Sequence, residues 1–299
     1  MQACIYSTAP VQRPNIQRLT LNVESILLSS TTRNLLAVVI ALKLLAKLNR
    51  VLSTLALNNW MSDKYDWSHE IVLLTGGCSG IGQGVVARGL ARRGVKVIVV
   101  DIQEPSSPLP KNVYFYKCDV TSTSSIRQAG AQIRADHGDP TILINNAGVG
   151  QEGSILDKPE SVIRLTFEVN TLAHWWTVRE FLPAMLKQNH GHIITIASTC
   201  SFLGPSEMSD YAFSKASAMS FHEGLTQEIR LLHKTKKVCT SIVYPMWVRT
   251  PLVKSVTDCR VKVRQPVLEV EDVAKVIVKH VLGGHSGQVN IPDWVGAGS

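Results

Sequence analysis

Glu70-Ile-Val-Leu-Leu-Thr-Gly-Gly-Cys-Ser-Gly-Ile-Gly82 is the stretch on which the reading of this chain turns. Ile71 to Leu74 is a short apolar run, the pattern of a strand buried on both faces. It breaks at Thr75 into a loop carrying Gly76, Gly80 and Gly82. A helical pattern follows from Gln83 to Arg93 and is closed by Gly94. Strand, glycine loop and helix together aim backbone N–H groups and the positive end of a helix dipole at one spot, which suits a pyrophosphate. A second apolar run, Lys96 to Val100, ends in Asp101. A carboxylate there can accept hydrogen bonds from an adenosine ribose and repels a 2′-phosphate. A bare glycine spacing would fit many α/β turns. The flanking strand, helix and terminal Asp favour a dinucleotide site.

The chain has 299 residues, enough for one α/β domain of about 230 residues plus an appendage. A hydrophobic content of 45% permits a sizeable core, and the formal charge is +8. No dense Lys/Arg tract with interleaved aromatics is present, which argues against nucleic acid as a partner and for a basic, membrane-facing surface. The cysteines, at 4, 78, 118, 200, 239 and 259, include no pair at metal-ligand or redox spacing. They read as free thiols of a reducing compartment. His190-Gly-His192 has no partner motif, so the histidines read as structural and no metal is expected.

Residues 1–33 read as a polar leader, either disordered or an organellar transit peptide. Residues 34–57 read as a membrane anchor. Only Leu35 to Leu42 is unbroken, and eight helical residues rise about 12 Å against a hydrocarbon core of about 30 Å. Lys43, Lys47, Arg50 and Thr54 share one helix face, while Leu45, Leu48, Leu52 and Leu55 share another. A basic stripe beside a leucine stripe suits a helix lying in the membrane interface. The alternative is an amphipathic helix packed on the protein itself. Residues 58–66 read as a linker, with Trp60 and Trp67 at headgroup depth as the chain leaves the membrane. The catalytic domain is expected over 67–299.

Strands are expected at Val113–Lys117, Thr141–Ile144, Ile193–Ala197, Val238–Val243 and Gln288–Ile291. Helices are expected at Ser124–Asp136, Thr171–Asn189, Tyr211–His233 and Val270–Leu282. The alternation predicts an α/β, doubly wound parallel sheet of seven strands covered by helices on both faces.

The strand ending at Ala197 leads at once into Ser198, and Tyr211-Ala-Phe-Ser-Lys215 follows. Tyr and Lys at i and i+4 lie one above the other on a helix. An ammonium beside a phenol favours phenolate, which predicts a depressed tyrosine pKa. A Tyr so tuned can take a proton from an alcohol as hydride leaves its carbon, or return one to a ketone. Ser198 can hydrogen-bond the substrate oxygen.

Taken in order, Thr75-Gly-Gly-Cys-Ser-Gly-Ile-Gly82, Asn145-Asn-Ala-Gly148, Asn170, Ser198 and Tyr211-x-x-x-Lys215 resemble the short-chain dehydrogenase/reductase family over about residues 67–292. The resemblance implies a Rossmann-type sheet in the order 3-2-1-4-5-6-7. It implies Tyr211 as acid/base, Ser198 as the group that orients the substrate oxygen, Lys215 as the ribose-binding partner of Tyr211, and Asn170 as the holder of a water leading from Lys215 to solvent. It assigns the cofactor to Gly76, Ser79, Gly80, Ile81, Gly82, Asp101, Ile102, Asp119, Val120, Asn146, Ala147, Gly148, Tyr211, Lys215, Pro245, Val248 and Thr250. Simpler readings exist for some of these: Asn170 as a helix N-cap, Asp119 as a turn residue. Met246 departs from the family by replacing a glycine in the segment after the sixth strand, which puts the local backbone in question.

With the N-terminal anchor and Ser62-Asp-Lys-Tyr-Asp-Trp67, the chain looks most like the membrane-associated retinol and 17β-hydroxysteroid dehydrogenase group. This implies a membrane-attached oxidoreductase of a lipophilic secondary alcohol, using NAD in preference to NADP. It also implies homo-oligomers on the endoplasmic reticulum or lipid droplets, with the catalytic domain facing the cytosol. The alternatives are an NADPH-dependent ketoreductase of a specialised metabolite and a non-catalytic NAD-binding scaffold. Ser198, Tyr211 and Lys215 argue against the latter. Substrate choice is expected to lie in loops at 149–166, 199–210 and 246–265.

Overall fold

The computed structural model describes residues 29–61, 63–85, 89–253 and 266–293. Most of the leader, the final residues 294–299 and much of the expected loop after residue 246 lie outside these. The chain divides into two compact units, residues 1–53 and 54–299.

In the first unit, α1 (Ser30–Leu57) begins four residues before the expected anchor. The Ser29 hydroxyl caps it by accepting the Thr32 N–H at 3.1 Å. None of its side chains is buried. No described helix is long and apolar enough to cross a membrane.

The second unit is built on a seven-stranded, all-parallel sheet: β1 (Ile71–Thr75), β2 (Lys96–Asp101), β3 (Val113–Lys117), β4 (Ile142–Asn145), β5 (Gly191–Ile196), β6 (Val238–Pro245) and β7 (Gly287–Ile291). The order is β3-β2-β1-β4-β5-β6-β7, as expected from the sequence. Alternating side chains of each strand serve opposite faces. Val72 and Leu74 of β1 pack toward α7 (Val270–Gly283), through Val273, Ile277 and Val281. Ile71 and Leu73 pack toward α3 (Thr123–His137), α5 (Ala173–Gln188) and α6 (Ser209–Leu231), through Ile126, Ile133 and Phe181. Every residue of β1, β4, β5 and β6 is buried; Ile71–Leu74 and Ile142–Ile144 read as apolar runs for that reason, while β5 and β6 also bury His192, Thr195, Thr240 and Ser241.

The helix expected over Gln83–Arg93 is described in part: α2 covers Gly80–Val85, residues 86–88 lie outside the described residues, and a 3-10 turn at Ala91–Arg93 ends at Gly94 in the left-handed conformation, with φ of +77°. A Cβ on Gly84 would lie 2.7 Å from Val270, so the absence of a side chain there lets α2 sit close to α7. The expected loop 149–166 contains α4 (Glu160–Phe167). It runs through a π-turn, Glu168–Leu172, into α5, which carries Pro183 in its interior. Val162, Ile163 and Phe167 give α4 an apolar face with the buried Thr166, but the helix is only eight residues long, too short for its pattern to stand out in sequence.

The segment 58–66, expected as a linker, is instead tied to the domain. Asn58 accepts the Ser286 N–H at 2.7 Å, and the Tyr65 hydroxyl donates to Gly191 at 3.0 Å. The His190 ring bridges Asp63, at 2.6 Å, and Glu70, at 3.1 Å. Burial alone would depress the His190 pKa, but its hydrogen bonds to the two carboxylates outweigh that and raise it. Trp67 stacks on Tyr65 at 5.5 Å and packs against the core. This strap grips the edge of the sheet where β5 and β7 begin.

Candidate active site

The C-terminal strand ends open onto a cavity of about 390 Å³. It lies where the sheet order reverses between β1 and β4, the usual ligand position in such sheets. The two strand ends are stitched directly together. The Thr75 hydroxyl accepts the N–H groups of Asn146 and Ala147, both at 3.0 Å, and the Asn146 carboxamide donates to the carbonyls of Thr75 and Gly76. Gly76 has a φ of +64°, and a Cβ there would sit 2.7 Å from the Ala147 backbone. A Cβ on Gly82 would lie 2.2 Å from the Gly76 carbonyl. Glycine is therefore required at both positions to bring the loop onto the end of β4.

Gly76, Ser79, Gly80, Ile81, Asp101, Ile102, Asp119, Val120, Asn146, Ala147, Gly148, Ser198, Tyr211, Lys215, Pro245, Val248 and Thr250 all line the cavity. Gly82 and Asn170 do not. Gly82 packs behind the loop, for the reason just given.

The Asp101 carboxylate accepts the N–H of Cys78 through one oxygen and that of Gln103 through the other, both at 3.0 Å. It is thereby held at the cavity edge. Asp119 accepts the N–H and hydroxyl of Thr121, at 2.9 and 2.7 Å, so its turn role and its place on the cavity wall coexist. Met246 is absent from the residues with positive φ, and its N–H donates to Ile291 at 2.8 Å. The backbone there has no need of glycine, and the Met246 side chain becomes part of the wall.

Ser198 follows β5 immediately. Its hydroxyl accepts the Cys200 N–H at 3.2 Å, capping the turn Thr199–Ser201. It also donates to the Pro245 carbonyl at 3.4 Å. Tyr211 stands in the first turn of α6, with Lys215 one turn on. The Lys215 ammonium donates to the Ile196 carbonyl at 2.9 Å and lies 5.7 Å from the Tyr211 ring centre. The expected depression of the tyrosine pKa is not found. Burial pushes the Tyr211 phenol up, the Cys200 thiol adds to this, and the Ser198 hydroxyl opposes it. Burial also lowers Lys215, to about 8. The ammonium faces a backbone carbonyl, so desolvation outweighs its effect on the phenol.

Asn170 is not a helix N-cap. It sits within the π-turn, fully buried, a device that re-aims side chains at functional sites. Its carboxamide donates to Val149 at 2.8 Å and to Ser214 at 3.0 Å, and accepts the Val149 N–H at 2.9 Å. Both amide protons are thus engaged by the protein, and the water-holding expectation does not fall to this side chain's donors.

Sequence reasoning missed the apolar wall: Val149, Leu165, Val169, Trp247 and Leu252. They come from separate segments, and no spacing announces them. Among the described residues no group of His, Cys, Asp or Glu could hold a metal ion, and Cys78, Cys118, Cys200 and Cys239 are free thiols.

The sequence pattern of the short chain dehydrogenase family matches residues 70–260. Dehydrogenase RED2 of Cochliobolus heterostrophus is 43% identical over 203 residues, covering 67% of this chain and 76% of that protein. Human 17-beta-hydroxysteroid dehydrogenase 13 is 34% identical over 76% of each chain, and human epidermal retinol dehydrogenase 2 is 33% identical over 71% of each. The fold matches a 3-ketoacyl-(acyl-carrier-protein) reductase from Brucella melitensis, solved with NADH. The TM-score is 0.68 at 20% identity, covering 76% of this chain and 98% of that one. The chain belongs to the short-chain dehydrogenase/reductase family, whose members bind NAD(P), and is an oxidoreductase acting on CH–OH groups, similar to the retinol and 17β-hydroxysteroid dehydrogenases.

Proposed function

We propose that this protein interconverts a lipophilic alcohol, secondary or retinoid-like, and its carbonyl, using NAD, with Tyr211 as the acid/base. The observation that carries the reading is the convergence of Tyr211, Ser198 and Lys215 on the same cavity as Asp101. Asp101 ends β2 and Ser198 follows β5, three places away in the sheet. At the usual strand spacing the cleft runs about 14 Å from one to the other. The glycines leave the floor beside β1 free of side chains, and an anionic carboxylate stands at the far end. These residues fit a dinucleotide.

The bound dinucleotide supplies the hydride acceptor or donor. Gly76, Ser79, Gly80 and Ile81 offer it their backbone. Asp101 accepts from the adenosine ribose and repels a 2′-phosphate, favouring NAD over NADP. Ile102, Asp119 and Val120 flank the adenine, Asn146, Ala147 and Gly148 line the middle, and Pro245, Val248 and Thr250 flank the nicotinamide. Ser198 hydrogen-bonds the substrate oxygen. Tyr211 takes or returns the proton on that oxygen, and Lys215 stabilises the phenolate and holds the nicotinamide ribose. Asn170 braces Val149 and Ser214 beside them. Val149, Leu165, Met246, Trp247 and Leu252 give the substrate end an apolar wall, which supports a lipophilic substrate over a sugar or short acid.

Attachment to the cytosolic face of the endoplasmic reticulum or a lipid droplet falls to the basic and leucine stripes of α1. Trp175 on α5 and Phe213 on α6, 52% and 72% exposed, favour pairing with a second copy. Membranes containing the protein, given NAD and retinol, 17β-estradiol or 2-decanol in turn, should form NADH with at least one. Turnover confined to ketones and NADPH overturns the cofactor assignment. No turnover with either cofactor overturns the substrate class.

A further inference from the structure

Lys158 and Asp210 form an ion pair that solvent barely reaches, with side chains 3% and 6% exposed. Lys158 lies in the segment between β4 and α4, and Asp210 immediately precedes Tyr211 in α6. The Lys158 ammonium also donates to the Gln151 carbonyl at 2.6 Å and reaches that of Glu207 at 3.5 Å. The hydroxyl of Thr166, in α4, lies 3.2 Å from the second Asp210 oxygen. The two segments meet again where Gly153 donates to the Glu207 carbonyl at 2.9 Å. Glu207 holds a φ of +64°, a backbone that side chains disfavour and that persists only when its surroundings impose it. Gly150 lies so close to the Tyr211 ring that a Cβ there would stand 2.9 Å from a ring carbon.

Neither charge lines the cavity. Desolvating both offsets most of their attraction, so such a pair is weak evidence for stability and stronger evidence for a fixed arrangement. We propose that Lys158 and Asp210 are positioning residues, a clasp locking the segment 149–158 to the turn that bears Tyr211. The wall that meets the substrate and the hydroxyl that exchanges its proton then move as one body. Val149 belongs to both this segment and the cavity wall, so the clasp reaches the substrate through it.

This inference rests on Tyr211 as the proton-transfer group, and its test separates the two. Lys158→Met, Asp210→Asn and the double variant, each in the full-length protein, are compared by amide hydrogen exchange over 150–158 and by NADH fluorescence on binding. Turnover is followed with whichever of retinol, 17β-estradiol or 2-decanol the native protein oxidises. Each single variant should exchange that segment about tenfold faster or more. NADH affinity should stay within about twofold, and kcat should fall about tenfold with little change in the KM for NAD. The double variant should be no worse than the singles. Unchanged exchange, additive losses, or loss of NADH binding in both single variants would overturn the clasp. Should no alcohol turn over, exchange and binding decide it alone. Failure of the Tyr211 assignment would appear separately, as undiminished oxidation by Tyr211→Phe.

Discussion

The Lys215 ammonium donates to the carbonyl of Ile196 at 2.9 Å, inside a region where solvent does not reach either group. One carbonyl is meagre compensation for the water an ammonium leaves behind. The folded protein therefore binds that proton less tightly than the unfolded chain does, with a pKa near 8 against 10.5. The sign follows. Below pH 8 both states hold the proton, and the full penalty falls on the folded one. Between pH 8 and 10.5 only the unfolded state holds it, so stability rises with pH.

Lys215→Met should accordingly be more stable than the native protein at pH 7, by up to about 3 kcal/mol. The advantage should shrink as pH rises through 8 to 10.5. Urea unfolding at a series of pH values measures it. Oxidoreductase activity should be lost in the same variant, the usual cost of relieving a strained site.

Tyr211→Phe removes the hydroxyl and keeps the ring against Gly150. Activity should fall by about 10²–10⁴-fold while NADH still binds. Steady-state kinetics beside NADH fluorescence titration separates the two effects.

Burial holds the Tyr211 phenol in its protonated form at neutral pH. Oxidation needs phenolate and reduction needs phenol. Alcohol oxidation, measured as kcat/KM, should therefore climb with pH through the neutral and alkaline range, and ketone reduction should not. An oxidation profile that falls on the alkaline side of neutrality would assign the proton to another group.

Asp101→Ser removes the charge that faces a 2′-phosphate and leaves a hydroxyl for the ribose. The preference for NAD over NADP, as a ratio of kcat/KM values, should drop by about one to two powers of ten. The Cys78 and Gln103 N–H groups lose their carboxylate partner at the same time, so affinity for NAD should also weaken.

Lys43, Lys47 and Arg50 lie on one side of α1. Replacing all three with Ala should weaken flotation with vesicles containing anionic lipid, by about 1 kcal/mol per charge, and change flotation with neutral vesicles little. Equal loss on both vesicle types would point to the leucine stripe alone.

Strands β1 and β4 were legible because a sheet covered on both faces leaves little room for polar residues in its middle, as in Ile71-Val-Leu-Leu74 and Ile142-Leu-Ile144. Helix α3 was legible through Ile126, Ala129 and Ile133 at helical spacing. Most of the cleft was legible because it draws on residues fixed by backbone demands, Gly76 and Gly82, or by proton chemistry, Ser198, Tyr211 and Lys215. Helix α4 was not, since its eight residues are too few for the pattern to stand out. The ionisation of Tyr211 was not, because sequence spacing places the ammonium one turn away but says nothing of the Ile196 carbonyl that claims it. The Lys158–Asp210 pair joins residues distant in the chain, and neither belongs to a motif.

The strap from Asn58 to Tyr65 has a practical consequence for anyone shortening the chain from its N-terminal side. Trimming the gene at Trp67, where strand and helix begin to alternate, would strip the Gly191 carbonyl of its phenol, Ser286 of its carboxamide and His190 of one carboxylate. A cut inside α1, just ahead of Thr54, keeps all three, and that is where a shortened enzyme should be made to start.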